Sequence, residues 1–249
     1  ADPYLLGVSA GASVGATAVI ALGMFTSWGT HRLTLGALVG ALAAAALVYL
    51  ISMAQGGMTP LRLVLSGVVL SSAFSALASF LVFRSPDPRA AQSVLFWMLG
   101  SVAGATWDSL WVAALVTVVI AVLMIAFSGW LDALAAGTDV ARSLGIPDTR
   151  VRKALFVGNS VLVGVLVAVS GGIGFVGLVI PHMARLLVGA SHRSMLPIAA
   201  AVGSLFLLWV DVGARVIAAP QEVPLGVVTG FIGAPIFLYL MGRLSLIHI

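Results

Sequence analysis

The amino-acid sequence predicts an all-α membrane protein, a polytopic bundle of about eight transmembrane helices. Of its 249 residues, 61% are hydrophobic and only 8% are charged, whereas soluble domains have about 45–50% apolar and about 25% charged residues. Long apolar stretches separate the charges, and a helix needs about 20 such residues to cross a bilayer. These observations exclude a water-soluble globular domain, so residues 1–249 are expected to form a single transmembrane domain.

The apolar segments define the elements of this bundle. Eight of them are long enough to be membrane spans. They run approximately over residues 4–25, 33–54, 61–83, 107–128, 154–170, 173–190, 195–218 and 224–241. A ninth segment, 91–104, is too short to cross and lies between Pro88 and Trp107. It is predicted to be a re-entrant or extracytoplasmic helix packed against protein, the setting that tolerates short segments at membrane depth.

The basic residues predict the orientation of the chain. Eight crossings leave both ends on one side, and the loops and ends of that side carry eight of the twelve Lys and Arg residues. Cytoplasmic loops carry such an excess, so both ends of this chain are predicted to lie in the cytoplasm. The basic residues are too scattered for a groove that follows phosphates, so no nucleic acid is expected as a partner.

The longest polar interval, residues 129–153, falls on the predicted cytoplasmic side. Its glycines and proline predict two short helices that separate at Gly137 and end at Gly145-Ile146-Pro147. A soluble partner protein would dock on these helices.

Small residues recur at every fourth position in several spans. The rows are Gly7, Gly11, Gly15; Gly36, Gly40, Ala44; Gly67, Ser71, Ser75, Ser79; and Gly226, Gly230, Ala234. Such rows let helix backbones approach closely in lipid. The serine-rich row has a second interpretation, because hydroxyl groups on one helix face also suit a wet pathway. The sequence leaves both interpretations open.

Two patterns that suggest nucleotide chemistry fail on context. Residues 172–177 match the spacing of the dinucleotide fingerprint, but they join two apolar segments and no acidic residue follows before Asp211. A tight hairpin is predicted there instead. Lys153 is the only lysine and no glycine-rich phosphate loop precedes it, so this chain is not expected to hydrolyse ATP by that route.

No metal or other cofactor is expected. The chain has no cysteine, and its histidines lack the spacing of a metal site within one helix. Packing near the membrane interfaces is the expected role of His31, His182, His192 and His248.

Asp211 and Arg215 lie four residues apart in a predicted span, where ionisable groups are costly and often functional. One interpretation is a self-neutralising pair. The other presents Arg215 to the outside, with Glu222 as its nearest acidic neighbour. No acidic residue lies at mid-span, which disfavours an ion-coupled secondary transporter. An intramembrane enzyme is disfavoured because the deep polar groups are small hydroxyls.

Five segments, in order along nearly the whole chain, carry recognisable motifs. They are DPYLLGVSAGA at 2–12, FWMLGS at 96–101, DVARSLG at 139–145, GFVGLVIPHMAR at 174–185 and PQEVPLG at 220–226. Taken together, they resemble the permease subunits of ABC importers for iron–siderophore complexes, haem and cobalamin, the iron-chelate permease family. The segment at 174–185 is the most specific of the five.

The resemblance implies an architecture and partners. Members of this family have ten spans, form a homodimer with the pathway on its axis, and work with two cytoplasmic ATPase subunits and an extracytoplasmic binding protein. The permease itself is then not an enzyme. Because the motif at 2–12 follows the second span in the family, the first two spans are expected to be missing from this chain.

The resemblance also implies site residues. Those at ATPase-coupling positions are Gly137, Arg142, Leu144 and Gly145. Arg215 matches an arginine that docks the binding protein. Arg84 and Arg89 are added as docking charge for their position in the outer loop and not from the resemblance. Thr59 and Pro60 lie where a cytoplasmic gate begins the pathway helix, which here carries Gly67, Ser71, Ser75 and Ser79.

We therefore predict the permease subunit of an ABC importer that moves a ferric siderophore across the cytoplasmic (inner) membrane by ATP-driven alternating access. Haem or cobalamin is the alternative cargo. An ion-coupled secondary transporter is the rival mechanism, and it would require an essential mid-span carboxylate.

Overall fold

The computed structural model describes residues 7–57, 59–217, 219 and 222–245. Within these ranges the chain is all-α, with eleven α-helices, one 3₁₀ helix and no β-strand. Three parts of the motifs and sites discussed above lie outside the described residues: residues 2–6, Pro220 with Gln221, and His248.

The helices follow the predicted segments in order. Their bounds are α1 Val8–Leu22, a 3₁₀ helix Thr26–His31, α2 Arg32–Ala54, α3 Pro60–Phe83, α4 Ala90–Met98, α5 Trp107–Ala126, α6 Ser128–Ala136, α7 Thr138–Ser143, α8 Asp148–Ser170, α9 Val176–Val188, α10 His192–Ile217 and α11 Leu225–Ser245. Five of them, α2, α3, α5, α8 and α10, are long and apolar enough to cross a membrane. The helices α1, α9 and α11 are shorter apolar helices at the other three predicted spans. The total of eight crossings and the re-entrant position of α4 stay predictions.

Local sequence explains several helix boundaries. Helix α3 begins at Pro60, and the Oγ1 atom of Thr59 accepts a hydrogen bond from the Arg62 N–H at 3.4 Å. Proline suits the first helical position because its missing N–H would lack a partner there in any case. Between α6 and α7, Gly137 adopts a φ of 131°, a conformation that favours glycine. The predicted separation of two short helices at Gly137 is therefore confirmed.

Glycines bring α1 and α2 into close contact. A Cβ atom built on Gly11 would lie 2.5 Å from the carbonyl oxygen of Gly40, and one on Gly15 would collide with the carbonyl oxygen of Gly36. The two predicted rows of small residues therefore face each other across antiparallel helices, as close packing in lipid requires. Alanine and valine side chains of α1, α2 and α8 fill the core next to this contact.

The helices form two packed groups. Helix α1 packs on α2, α3 and α8, and α8 also packs on α2 and α5. Helix α9 packs on α10 and α11, and α10 also packs on α5 and α6. The prediction of a tight hairpin at residues 172–177 is wrong, because α8 and α9 belong to different groups and the segment between them connects the groups.

Much of the remaining surface is apolar. Ala113 is the buried residue of α5, whereas large side chains along that helix, such as Leu115, Val118 and Val122, are exposed. A soluble protein rarely exposes a continuous apolar surface of this kind. A bilayer stabilises it, because a helix satisfies its own backbone hydrogen bonds and presents only apolar side chains to lipid.

Candidate functional site

The middle of the predicted pathway helix, α3, packs against the beginning of α1. A Cβ atom on Gly7 would lie 3.1 Å from the Gly67 carbonyl oxygen and 3.5 Å from the Ser71 Oγ atom. The Ser71 hydroxyl donates a hydrogen bond to the Gly67 carbonyl oxygen at 2.7 Å. Gly67 and Ser71 therefore allow close approach to α1, which is the packing interpretation of this row.

One turn further along, the same face of α3 lines a pocket of about 130 Å³. Its walls carry hydroxyl groups from both helices, Ser9 and Ser13 of α1 and Ser71 and Ser75 of α3. The Ser13 hydroxyl donates to the Ser9 carbonyl oxygen at 3.0 Å. The Ser9 hydroxyl is itself buried with no hydrogen-bond partner among the described residues. The small residues that pack α1 against α3 thus also leave a hydroxyl-lined space between them, and the pathway role of this face stays a prediction.

Sequence reasoning missed the contribution of α1 to this pocket. Ser9 and Ser13 are spaced four apart, as Ser71 and Ser75 are, but the sequence analysis considered only the glycine row of α1. Ser79 lies beyond the pocket, is exposed, and donates to the Ser75 carbonyl oxygen at 3.0 Å.

The predicted gate lies at the turn between α2 and α3. Thr59 caps α3, and Arg62 in the first turn reaches back so that its Nη1 atom donates to the Gly57 carbonyl oxygen at 3.5 Å. Pro60 forms the first residue of the helix. The cap stabilises the start of α3, and the Arg62 side-chain contact joins it to the turn that follows α2.

The predicted coupling residues lie on a short helical unit. Ala141 and Ile146 are buried in a small cluster, and the neighbouring Leu144 is 65% exposed. Gly145 adopts a φ of 73° with open space around it. Helices α6 and α7 thus form a compact unit with an apolar side chain on its surface.

Arg142 connects this unit to α8. Its Nε and Nη2 atoms donate to the two carboxylate oxygens of Asp148, each at 3.3 Å. The Arg152 guanidinium donates to the Thr138 Oγ1 atom at 3.1 Å. Polar contacts therefore join the start of α8 to the second short helix.

Arg215 lies between two carboxylates. Its Nε atom is 2.9 Å from the Asp211 Oδ2 atom, and its Nη1 atom is 3.4 Å from the Glu222 Oε1 atom. The Arg215 side chain is nevertheless 45% exposed. We call these three residues the Arg215 cluster. The ion pair of the first interpretation is therefore present, and the Arg215 side chain remains partly exposed; its presentation to the outside stays a prediction. No hydrogen bond or ion pair of the described residues joins Arg84 or Arg89 to it.

Two of the motifs quoted above, at 96–101 and 220–226, meet at the end of α8. The Ser101 N–H donates to the carbonyl oxygen of Ser170, the last residue of α8, at 2.8 Å. The first two N–H groups of α11 donate to the segment that follows α4: Leu225 to the Gly100 carbonyl oxygen at 2.9 Å and Gly226 to that of Leu99 at 2.8 Å. Helix ends leave such groups without intrahelical partners. We call residues 99–101, 170–175 and 224–226 the helix-end junction.

Glycines make the helix-end junction possible. A Cβ atom on Gly100 would lie 2.6 Å from the Gly172 carbonyl oxygen, and one on Gly171 or Gly226 would collide with the backbone carbonyl oxygen of Trp97 or Leu99. Phe175, with a φ of 65°, begins α9. Sequence analysis quoted residues 96–101 and 220–226 as motifs but missed that they contact each other and the end of α8.

The described residues contain no group of three or more His, Cys, Asp or Glu side chains that would hold a metal ion. His182 contacts the Leu178 carbonyl oxygen through Nδ1 at 2.8 Å and lies edge-on to Phe237. His192 contacts Asp132.

Comparison with known proteins gives one consistent set of relatives. The model of the FecCD transport family matches residues 1–243. The chain is 39% identical over 241 residues to the cobalamin import system permease protein BtuC of Halobacterium salinarum. The alignment covers 97% of this chain and 63% of that protein. It is 36% identical to the iron(3+)-hydroxamate import system permease protein FhuG of Bacillus subtilis, over 97% of this chain and 73% of that protein.

A third relative and a solved structure are also similar to this chain. The hemin transport system permease protein HmuU of Yersinia pestis is 36% identical, over 98% of this chain and 73% of that protein. A metal-chelate type ABC transporter solved in an inward-facing conformation superposes with a TM-score of 0.89 at 33% identity, covering 98% of this chain and 76% of the other. The chain thus spans 63% to 73% of the length of these three curated relatives.

Proposed function

The chain belongs to the FecCD transport family, and from that premise we propose that it is the transmembrane permease subunit of an ABC importer that moves a ferric siderophore across the cytoplasmic membrane. The observation that carries the proposal is the family match over residues 1–243. Its relatives are permeases whose names specify iron-hydroxamate, hemin or cobalamin import. Among these cargoes, haem and cobalamin are the alternatives to the siderophore.

ATP hydrolysis belongs, in this proposal, to a separate ATPase subunit that docks on α6 and α7. Gly137, Arg142, Leu144 and Gly145 are the proposed coupling residues. Leu144 offers an exposed apolar side chain for that contact, and the Arg142–Asp148 ion pair passes a displacement of α7 to the start of α8. Because α8 packs on α1 and α2, the displacement reaches the helices beside the hydroxyl-lined pocket.

An extracytoplasmic binding protein is the second proposed partner. Arg215 is the proposed docking residue, with Arg84 and Arg89 as additional positive charge. The partly exposed guanidinium of Arg215 supports this role. An acidic side chain of the binding protein would compete with Asp211 and Glu222 for it.

The pathway is proposed to run along α3, between two copies of the chain. Large apolar side chains on the face of α3 turned away from α1 and α2 support a homodimer contact: Leu61, Leu65, Val69, Phe80 and Phe83 are exposed. Thr59 and Pro60 form the proposed cytoplasmic gate, and Gly67, Ser71, Ser75 and Ser79 the proposed pathway face. Small hydroxyl-bearing residues suit a pathway that releases its cargo, because they bind weakly and tolerate ligands of different shape.

The orientation in this proposal follows the excess of basic residues, with both ends of the chain in the cytoplasm. An ion-coupled mechanism is not favoured. The acidic residues that the structure describes lie in loops or near helix ends, and a proton- or sodium-coupled carrier needs a carboxylate near the middle of the membrane.

The test is uptake by the reconstituted system. The full-length gene product is placed in liposomes with its ATPase, the binding protein is added outside, and uptake of a labelled ferric siderophore is measured with ATP inside. Uptake that requires ATP and both partners supports the proposal. Uptake of haem or cobalamin alone replaces the cargo, and uptake driven by an ion gradient without ATP contradicts the mechanism.

A further inference from the structure

A carboxylate of α6 holds the beginning of α10. The Asp132 Oδ1 atom accepts a hydrogen bond from the His192 backbone N–H at 2.9 Å and also contacts the His192 ring at Nδ1. The Asp132 Oδ2 atom accepts a hydrogen bond from the Ser191 hydroxyl at 3.3 Å. One side chain of α6 therefore makes three polar contacts with two consecutive residues at the start of another helix. We call this set the α6–α10 contact.

The start of α10 needs such a partner. The first N–H groups of a helix have no carbonyl partner within the helix, and a negative charge is stabilising at this end. The hydrogen bonds from His192 hold the pKa of the Asp132 carboxyl below its usual value, so the carboxylate is charged at neutral pH.

Helix α10 joins two proposed functional regions. It runs from His192 to Ile217 over 26 residues, a length of about 39 Å at 1.5 Å per residue. Asp132 contacts its first residue, and Asp211 and Arg215 lie near its other end. The helix also packs on α9 and α11, so its movement involves that whole group.

The α6–α10 contact has a counterpart on the other helix group. Arg142 of α7 pairs with Asp148 at the start of α8, and α8 packs on α1, α2 and α5. The short helices α6 and α7 thus reach each group of long helices through an ionisable contact at the beginning of one long helix.

From this geometry we propose that Asp132 is a positioning residue for transport. Through His192 and Ser191 it couples movement of α6 to α10, and α10 transmits that movement to the Arg215 cluster. The binding protein and the ATPase then sense each other through α10. This proposal rests on the proposed function, because it requires a binding protein at one end and an ATPase at the other.

The test measures how strongly the two ends communicate. The full-length permease is reconstituted in nanodiscs with its ATPase, and ATP hydrolysis is measured with and without the substrate-loaded binding protein. For Asp132→Ala we expect stimulation by the binding protein to fall at least about fivefold, a typical size for coupling between sites. Basal hydrolysis and binding-protein affinity are expected to stay near wild type.

Matched variants separate positioning from folding. Asp132→Asn keeps an oxygen that accepts the His192 N–H and is expected to restore most of the stimulation. Asp108→Ala removes an exposed carboxylate from the first turn of α5 and is expected to behave like wild type. Should Asp132→Ala fail to assemble, Asp132→Leu replaces it, because it keeps about the size of the side chain and removes both acceptor oxygens.

Wild-type stimulation in Asp132→Ala, or in Asp132→Leu where that variant replaces it, would overturn the positioning role. An equal loss in Asp132→Asn and Asp132→Ala would also contradict it as formulated. Failure of the proposed function is distinguishable, since the wild-type complex itself would then show neither stimulation nor ATP-dependent uptake.

Discussion

Helices are joined differently in the helix-end junction and in the α6–α7 region. In the junction, backbone groups of residues 99–101 bond directly to the ends of α8 and α11, and glycines place backbone against backbone. In the α6–α7 region, the side chains of Arg142 and Asp132 make the connections, and Arg142 is 62% exposed. Backbone contacts without side chains leave no rotamers to adjust, whereas ionisable side chains can follow a moving partner. We therefore expect the helix-end junction to be rigid and the side-chain contacts of the α6–α7 region to adjust when helices move.

The largest effect is expected from a side chain placed in the helix-end junction. Gly226→Val would drive its side chain into the Leu99 carbonyl oxygen, and the Gly172 carbonyl oxygen lies only 3.2 Å from the added Cβ atom. Overpacking costs about 1–3 kcal/mol and more where backbone must move, so we expect little folded protein. The measurement is the monodisperse yield of the full-length protein in detergent.

The control for this prediction is Gly158→Ala in α8, since a Cβ atom there meets no atom within 4 Å. We expect it to express like wild type. A Gly226→Val protein that is folded and as heat-stable as Gly158→Ala would show that the helix-end junction accommodates a side chain and is not rigid.

The next effect concerns transport rather than folding. Gly145 has a φ of 73° and open space around it, so Gly145→Leu strains the backbone by about 1–2 kcal/mol without a collision. We expect the altered turn to abolish ATP-driven uptake while leaving the affinity of the binding protein intact. Gly145→Asn is the matched control, because asparagine tolerates this conformation. Normal uptake by Gly145→Leu would count against the coupling role of this turn.

A smaller effect is expected at the Arg215 cluster. Arg215→Glu places three acidic groups together and reverses the charge offered to the binding protein. We expect docking to weaken by about tenfold at low salt and by less at high salt, because salt screens exposed charges. Docking is measured by titrating the binding protein onto the permease in nanodiscs. Docking equal to wild type at low salt would mean that the cluster is purely structural.

The smallest effect is expected from the exposed ion pair of the α6–α7 region. Arg142→Gln removes the pair with Asp148, and an ion pair with a solvent-exposed member contributes little to stability. We therefore expect the thermal unfolding midpoint to stay close to wild type, against a far larger loss for the junction variant. The control is Arg150→Gln, another exposed arginine nearby. A loss for Arg142→Gln as large as that for Gly226→Val would erase the difference between the two regions.

Particular residues show how far the sequence analysis reached. It predicted the helical segments, the break at Gly137 and the close-packing rows that contain Gly11 and Gly40, because all three follow from local hydrophobicity, backbone preference and residue size. It placed Asp211 and Arg215 together because they are four apart on one helix. It assigned a hairpin to residues 172–177, where the structure has a connection between two helix groups. Local sequence does not specify which helices become neighbours.

Composition and the lengths of the apolar segments already indicate a protein that lies in a lipid bilayer and the order of its helices, and the order of the motifs indicates its family. These properties can be taken from the linear chain alone. The tertiary structure decided that Leu99, Gly100 and Ser101 hold the ends of α8 and α11, that Ser9 and Ser13 share a pocket with Ser71 and Ser75, and that Asp132 holds the start of α10. These contacts join residues far apart in the chain. They exist only because helix packing brings helix ends and hydroxyl-bearing faces together.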